Sequence, residues 1–142
     1  MQERHVGFEI RTLSNLIYRK INQMVVEEEE TLTAHQDWVL RFLLDNPDSD
    51  IVQRDIEKRF SIRRSTASHM LQLMEKNGYI TRVSVPQDAR MKKIVITDKG
   101  REACERMRER LQRFEALFQE GISEEDMEVF LRVMGRMEEN IK

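Results

Sequence analysis

Small polar side chains recur along residues 63–76 with the spacing of one helix face. Ser65, Ser68, Gln72 and Lys76 follow at steps of three and four, and His69 lies three before Gln72 and four after Ser65, which places all five on one side of an α-helix. Hydroxyl and amide groups can hydrogen-bond to base edges, and short side chains permit close approach in a major groove. The segment predicts a DNA-reading helix, with further candidate contacts at its amino-terminal end: Arg63, Arg64 and Thr66.

A second charged group lies in PQDARMKK, the polar loop predicted between two β-rich runs, YITRVSV and MKKIVIT. Arg90 is long enough to reach into a minor groove, where negative potential is focused. Asp88 is expected to hold the Arg90 guanidinium by a bidentate pair, and Lys92 and Lys93 are expected to meet phosphates. A surface turn with an incidental ion pair is the alternative for an isolated hairpin. Beside a basic recognition helix, the DNA-contacting interpretation is favoured.

The distribution of charge favours an anionic partner. The chain has 142 residues and a formal net charge of −2. Residues 51–93 hold ten Lys and Arg against four Asp and Glu, a net charge of +6, which leaves −8 for the rest. A basic segment in an acidic chain favours nucleic acid as a partner. The alternative is that a chain with 35% charged residues simply has solvated faces.

The order of elements predicts a mainly α fold with a small β-hairpin wing. Four helices precede the hairpin and two follow it, and a helix-turn-helix followed by a hairpin is a winged helix. A capping box from Thr33 to Gln36 starts the second helix, in which Trp38, Phe42 and Leu43 are expected to face inward. The four glutamates at 27–30 are expected to fray the end of the first helix by self-repulsion.

The helices at both ends of the chain carry apolar stripes that a small central domain leaves uncovered. In the last helix, which Ser123 caps, the stripe consists of Met127, Phe130, Met134, Met137 and Ile141. Docking against a second copy would cover these stripes, so a homodimer is predicted. An intrachain bundle of the same helices is the alternative.

Together these motifs resemble the MarR family of winged helix-turn-helix transcriptional regulators. The resemblance rests on QRDIEKRFSIRRSTASHMLQLMEKNGYITR and DARMKKIVITDKG and extends over nearly the whole chain. It implies a single domain of residues 1–142, with a winged-helix DNA-binding lobe at about 33–97 and dimerisation helices at about 5–28 and 98–142. Val52 departs from the family pattern, in which Ser or Thr often caps the third helix.

The resemblance also implies partners and residue roles. A homodimer would bind a pseudo-palindromic operator in double-stranded DNA, as a repressor released by a small ligand. Arg90 would read the minor groove, and the major groove would be read by Ser65, Thr66, Ser68 and His69. A small aromatic or amphipathic effector is expected beside the DNA-binding lobe. There Tyr18, His35 and Trp38 combine aromatic surface with polar tips. For Trp38, simple core filling is the alternative.

Other classes of function are disfavoured. His5, His35 and His69 lack the spacing typical of an activated nucleophile, so no catalytic residue is predicted. No cofactor or metal site is predicted. A regulator of the same fold that senses metal through His35 and nearby glutamates, or oxidants through Cys104, is an alternative, as is a protein-interaction module without DNA contact. One cysteine and no membrane-length apolar run predict a cytoplasmic protein without a membrane partner.

Overall fold

The computed structural model describes residues 3–142, which form six helices and a two-stranded antiparallel sheet. Its elements are α1 (Val6–Glu27), α2 (Ala34–Asp45), α3 (Gln53–Phe60), α4 (Arg64–Lys76), β1 (Ile80–Val85), β2 (Asp88–Ile96), α5 (Asp98–Phe118) and α6 (Glu124–Ile141). The predicted fold, mainly α with a hairpin wing, is confirmed. None of the helices in this part of the chain has the length and apolar character to cross a membrane. The chain divides into two compact units, with the boundary between Leu111 and Gln112.

The core of the first unit joins the helix-turn-helix to the wing. Its centre is completely buried and consists of Leu40, Ile56, Ala67, Leu71 and Met74. Ahead of α3, the Ile51 carbonyl accepts a hydrogen bond of 2.7 Å from the Ile94 amide of β2. Because the buried face of α4 also packs on β1, α4 and the wing are held in one piece.

The helix starts follow their capping residues. Thr33 Oγ1 accepts from the Gln36 amide at 3.2 Å, and the Gln36 side chain accepts from the Thr33 amide at 3.1 Å, which confirms the predicted capping box. At α3 only half of such a box exists, because the Val52 side chain has no acceptor. Asp55 supplies that half, since its carboxylate accepts from the Val52 amide at 2.9 Å.

The expectation of a frayed, self-repelling run at residues 27–30 is wrong. Two of its four carboxylates bind arginines of α5. Glu28 accepts from Arg110 at 2.7 and 3.1 Å, and Glu30 binds Arg106. Arg110 is only 1% exposed, so these carboxylates compensate its buried positive charge. Attraction to the arginines of α5, about 80 positions away in the sequence, offsets the repulsion among the glutamates.

Hydrogen bonds and a close backbone approach join the end of α4 to the start of α5. Gly78 adopts the left-handed region at φ 80°, which ends α4. Thr97 Oγ1 donates to the Gly78 carbonyl at 2.6 Å and accepts from the Gly100 amide at 3.0 Å. A Cβ at Gly100 would lie 2.9 Å from Ile96 Cγ1 and closer still to the Tyr79 carbonyl oxygen. This position therefore requires glycine.

Replacing Gly100 by alanine is expected to lower the free energy of unfolding by about 1–3 kcal/mol, because the new methyl group meets backbone that cannot swing aside. The matched control is Gly7→Ala, where nothing lies within 4 Å of the added Cβ. The control should leave stability unchanged or raise it by up to about 1 kcal/mol. Urea unfolding at one fixed protein concentration compares the two, and equal midpoints would contradict the close approach.

The wing is a more continuous hairpin than its sequence suggested. Pro86 and Gln87 alone form the turn, and Asp88 already pairs with Val85. The next pair is Ser84 with Lys92, so residues 89–91 have no partner in β1 and bulge from the strand. The predicted hairpin is confirmed, and the polar segment between its strands consists of a two-residue turn and a bulge in β2.

The second unit consists of the end of α5, a turn and α6. Gly121 provides the positive φ of the turn, 80°, and Ser123 Oγ accepts from the Asp126 amide at 3.1 Å as the predicted cap. Within this unit, Phe114 and Phe118 stack with ring centroids 5.1 Å apart. No residue of α6 is buried, and Phe130 and Ile141 are 50% and 88% exposed.

Candidate nucleic-acid interface and ligand pocket

Helix α4 presents the predicted polar face to solvent. Ser68 is half-buried, and the other candidates on or ahead of the helix are exposed: Arg63, Arg64, Ser65, Thr66, His69 and Gln72. Gln72 Nε2 lies 3.4 Å from Ser68 Oγ, its one hydrogen-bond partner within this part of the chain. Between Arg63 and Gln72 there is no carboxylate to repel a phosphate. This face is therefore open and polar, and it carries no acidic side chain from residue 63 to residue 72.

The turn that aims α4 is made without glycine. Ser61 takes the left-handed conformation at φ 50°, and the Ile62 amide donates back to the Glu57 carbonyl at 3.1 Å. These contacts end α3 and start α4 after three residues, the geometry of a helix-turn-helix. The Gln53 side chain also donates to the Arg64 carbonyl at 3.4 Å, which links the start of α3 to the start of α4.

Arg90 is exposed in the bulge of the wing. The expected bidentate pair between Asp88 and the Arg90 guanidinium is not formed. Instead, Asp88 Oδ1 accepts from the Arg90 backbone amide at 2.9 Å. The short Asp88 side chain reaches the backbone amide two residues later, as in an Asx turn. The guanidinium at the end of the Arg90 side chain lies beyond this local contact. Asp88 thus shapes the bulge and leaves the guanidinium to point where a ligand allows.

The two lysines behind Arg90 have different surroundings. Lys92 is exposed, whereas Lys93 Nζ lies 3.5 Å from the Asp50 carboxylate. Asp50 precedes α3, so this ion pair ties β2 to the loop before the helix-turn-helix. Lys93 is consequently the weaker candidate for a phosphate contact, a difference that the adjacent positions in the sequence did not reveal.

The three aromatic residues predicted for a ligand pocket do come together. Tyr18 stacks on His35 with centroids 4.6 Å apart, and Trp38 meets both rings edge to face. Tyr18 and Trp38 line a cavity of about 220 Å³ between α1, α2 and α5. The expectation that Trp38 faces inward is wrong, since it is 41% exposed. It rests at the mouth of the cavity because the true core positions of α2 are Val39, Leu40 and Leu43.

Asp37 is a residue of this pocket that sequence reasoning missed. It lines the cavity and is 1% exposed. Its Oδ2 accepts from Arg41 Nε at 2.6 Å, while Oδ1 has no partner in hydrogen-bond geometry within residues 3–142. The spacing of Asp37 and Arg41 by four residues was a visible signal, but it is equally typical of solvated helix faces.

The chemistry expected of a sensor is not favoured at Cys104. Burial, with a smaller effect of the neighbouring Asp37 carboxylate, raises the pKa of this thiol to about 12. Reactive cysteines are instead accessible and have a lowered pKa. For metals, residues 3–142 contain no group of three or more His, Cys, Asp or Glu side chains placed to hold an ion. Glu28 and Glu30, which would be needed beside His35, bind arginines.

Cys104 is expected to react slowly with a disulfide reagent such as dithiodipyridine. With a pKa of about 12, about one thiol in 10⁵ is ionised at pH 7. Labelling of the native protein should be slow, and labelling in urea should be fast and complete. The pKa of the thiol in the unfolded chain is near its usual 9.0. Between about pH 9 and 12 the unfolded chain therefore loses this proton while the folded protein keeps it, so the free energy of unfolding should be unaffected at neutral pH and fall across that range. Rapid labelling of the native protein at pH 7 would contradict this.

Comparison with known proteins finds similarity to one family of regulators. The sequence profile of the MarR family matches residues 31–91, from the start of the second helix to the wing. The uncharacterized HTH-type transcriptional regulator YdgJ of Bacillus subtilis (strain 168) is 29% identical over 92 residues. That match covers 65% of this chain and 56% of the length of YdgJ.

Solved structures extend the likeness to the whole chain. The PcaV transcriptional regulator from Streptomyces coelicolor is 27% identical with a TM-score of 0.79, and the alignment covers 97% of this chain and 98% of PcaV. MepR from S. aureus, solved as a complex with DNA, has a TM-score of 0.82 at 24% identity, over 99% of this chain and 100% of MepR. At that identity the likeness to MepR shows the fold.

Proposed function

We propose that this chain is a member of the MarR family, which it resembles in sequence and fold, and that it is a sequence-specific DNA-binding regulator of transcription. The observation that carries the proposal is the exposed polar face of α4 beside the exposed Arg90 of the wing, in one unit. A helix with such a face fits a major groove, and an arginine on an extended hairpin fits a narrow minor groove. The description of MepR as a DNA complex supports the same use of this fold.

The proposed contacts divide into two kinds. Ser65, Thr66, Ser68, His69 and Gln72 would meet base edges and specify sequence. Positive groups would meet the sugar-phosphate backbone and position the protein: Arg63, Arg64, Arg90 and Lys92. Asp88 acts indirectly by holding the backbone of the bulge. Lys93 is assigned a smaller part, because Asp50 already partners it.

The working form is proposed to be a homodimer that binds a pseudo-palindromic operator. The lobe at about 33–97 would read DNA, and the helices at about 5–28 and 98–142 would form the interface. The support is the unburied apolar surface of α6 and the exposed Val6, Phe8 and Ile10 at the start of α1. A two-fold dimer presents two copies of α4, so half-site centres should lie about 10 bp apart.

Regulation is proposed to be repression that a small molecule relieves. The cavity beside Tyr18 and Trp38 lies against α2, which packs on β2 of the wing. A ligand there acts only if it binds the free and DNA-bound forms with different affinities. An interaction module without DNA contact is the competing function, but it gives no reason for the exposed cations Arg63, Arg64, Arg90 and Lys92.

Selection of binding sites from a random duplex pool tests the proposed function. The expected result is a consensus with two-fold symmetry and a footprint on two half-sites about one helical turn apart. Enrichment of no sequence, together with no retention on heparin at low salt, would favour the interaction module. A single asymmetric half-site bound at full affinity would contradict the dimeric mode alone.

The salt dependence of binding should distinguish the two lysines of the wing. Lys92→Ala is expected to lower the slope of log K against log salt by about 0.9, the value for one phosphate contact. Lys93→Ala, its matched control, should change the slope less because of the Asp50 ion pair. Arg90→Ala should reduce the free energy of DNA binding by about 1–3 kcal/mol. Equal slopes for both lysine variants would remove the distinction, and a wild-type slope for Arg90→Ala would place the wing away from the phosphates.

A further inference from the structure

We propose that the cavity between α1, α2 and α5 selects a cationic aromatic ligand, whose positive group faces Asp37. This inference rests on the proposed ligand-responsive function and adds the charge class of the ligand. An aromatic acid, which the aromatic side chains alone would accommodate equally well, is rejected by the same site.

The volume and lining of the cavity limit the size and polarity of the ligand. Its volume is about 220 Å³, and its walls are mostly apolar, with Ile17, Ile21 and Met107 among them. An apolar cavity of roughly 150 Å³ holds benzene, so there is room for one substituted ring. Among the described residues that line the cavity, Asp37 is the only charged one.

The hydrogen bonding of Asp37 is incomplete. A carboxylate can accept about four hydrogen bonds, yet Arg41 supplies one, to Oδ2 at 2.6 Å. Oδ1 is buried, and no described residue donates to it in hydrogen-bond geometry. The Cys104 thiol also hydrogen-bonds to this carboxylate, but a thiol is a weak donor and leaves acceptor capacity unused. A buried acceptor in this state favours a ligand that brings N–H groups.

The Arg41 charge does not cancel that of Asp37 inside the protein. The Arg41 side chain is 37% exposed, whereas that of Asp37 is 1% exposed, so water screens the cation more than the anion. The neighbouring thiol reports the balance. After burial, Asp37 is the largest influence that raises the pKa of Cys104, and the opposing effect of Arg41 is smaller. At the Cys104 thiol the buried Asp37 carboxylate thus outweighs the more exposed Arg41.

The aromatic walls act in the same direction. The rings of Tyr18 and Trp38 lie with centroids 5.5 Å apart, and both line the cavity. Ring faces carry negative potential and attract cations within about 6 Å of the centroid. An anionic ligand would meet the Asp37 carboxylate beside these aromatic walls, and no cation among the described lining residues would compensate.

Three one-ring compounds of matched shape test the charge selection on the full-length protein: benzamidine, benzamide and benzoate. Trp38 is the only tryptophan, so its fluorescence reports on the mouth of the cavity. Benzamidine is expected to bind at least about tenfold more tightly than benzamide, the scale of one charge-assisted hydrogen bond, and benzoate should bind most weakly. Benzoate binding as tightly as benzamidine, or no binding by any of the three, would overturn the proposal.

Two variants locate the effect. Asp37→Asn should abolish the preference for benzamidine over benzamide, and unchanged preference would overturn the role of Asp37. Ser14→Phe, on the α1 wall of the cavity, should weaken all binding while Asp37 stays in place. If Asp37→Asn does not fold, the wild-type series still decides. DNA selection on the same preparation separates the two proposals, because specific DNA binding without preference for benzamidine refutes the ligand class alone.

Discussion

Removal of residues 123–142 is expected to convert the protein from dimers to monomers or aggregates, and to lower operator affinity by about 10²-fold or more. The deleted segment contains α6, which buries none of its residues within the chain. Without a second copy, that apolar surface stays in water, and a single recognition helix loses the gain from two linked half-sites. Sedimentation and operator binding measure the two effects. A truncated protein that remains a dimer would place the interface elsewhere.

A single substitution sharpens this test. Phe130→Asp puts a charge into the apolar stripe of α6, where Phe130 is 50% exposed, and should dissociate the dimer at micromolar concentration. Its control is Arg132→Asp, which introduces the same side chain about 160° further around the helix, on the polar face. Dissociation by both variants alike would indicate a general loss of helix stability and not the loss of a specific contact.

Changing Gln72 to Glu is expected to weaken operator binding by about 30-fold or more, since placing like charges together costs about 2 kcal/mol or more. The new carboxylate would stand on the exposed face of α4 near phosphates and base acceptors. Gln112→Glu makes the same chemical change at an exposed position of α5 and should leave affinity within about twofold. Fluorescence anisotropy on the selected operator measures both. Equal affinities for the two variants would exclude α4 from the DNA interface.

The helices and their ends were predictable because their signals are local. Thr33, Ser123 and Gly78 act on backbone groups within a few residues, so capping rules identify them without knowledge of the fold. The exposed face of α4 was predictable for a related reason. Its buried residues repeat with the helical period, and this repeat leaves the polar residues outside.

Features that depend on distant contacts were not predictable. Glu28 binds Arg110 across 82 positions, and no local rule indicates which of four glutamates will find a partner. Trp38 was assigned to the core from its hydrophobicity, but its exposure depends on where α1 and α5 lie. Asp88 and Lys93 have the residue types expected of a DNA contact, yet each is engaged by a group of the protein itself. The roles assigned to the DNA-contacting residues stay predictions.

The ion pairs of the glutamates at 27–30 also limit which substitutions this segment can accept during evolution. Loss of Glu28 alone would leave the buried Arg110 guanidinium with Glu30 Oε1 at 3.9 Å, at a cost of up to about 3 kcal/mol. Lineages should therefore replace Glu28 only together with Arg110. Glu29, at φ 57°, should change readily to glycine or asparagine. The glutamates of this run therefore differ in the substitutions that they tolerate. Related sequences should show coupled substitution at positions 28 and 110 and independent substitution at position 29.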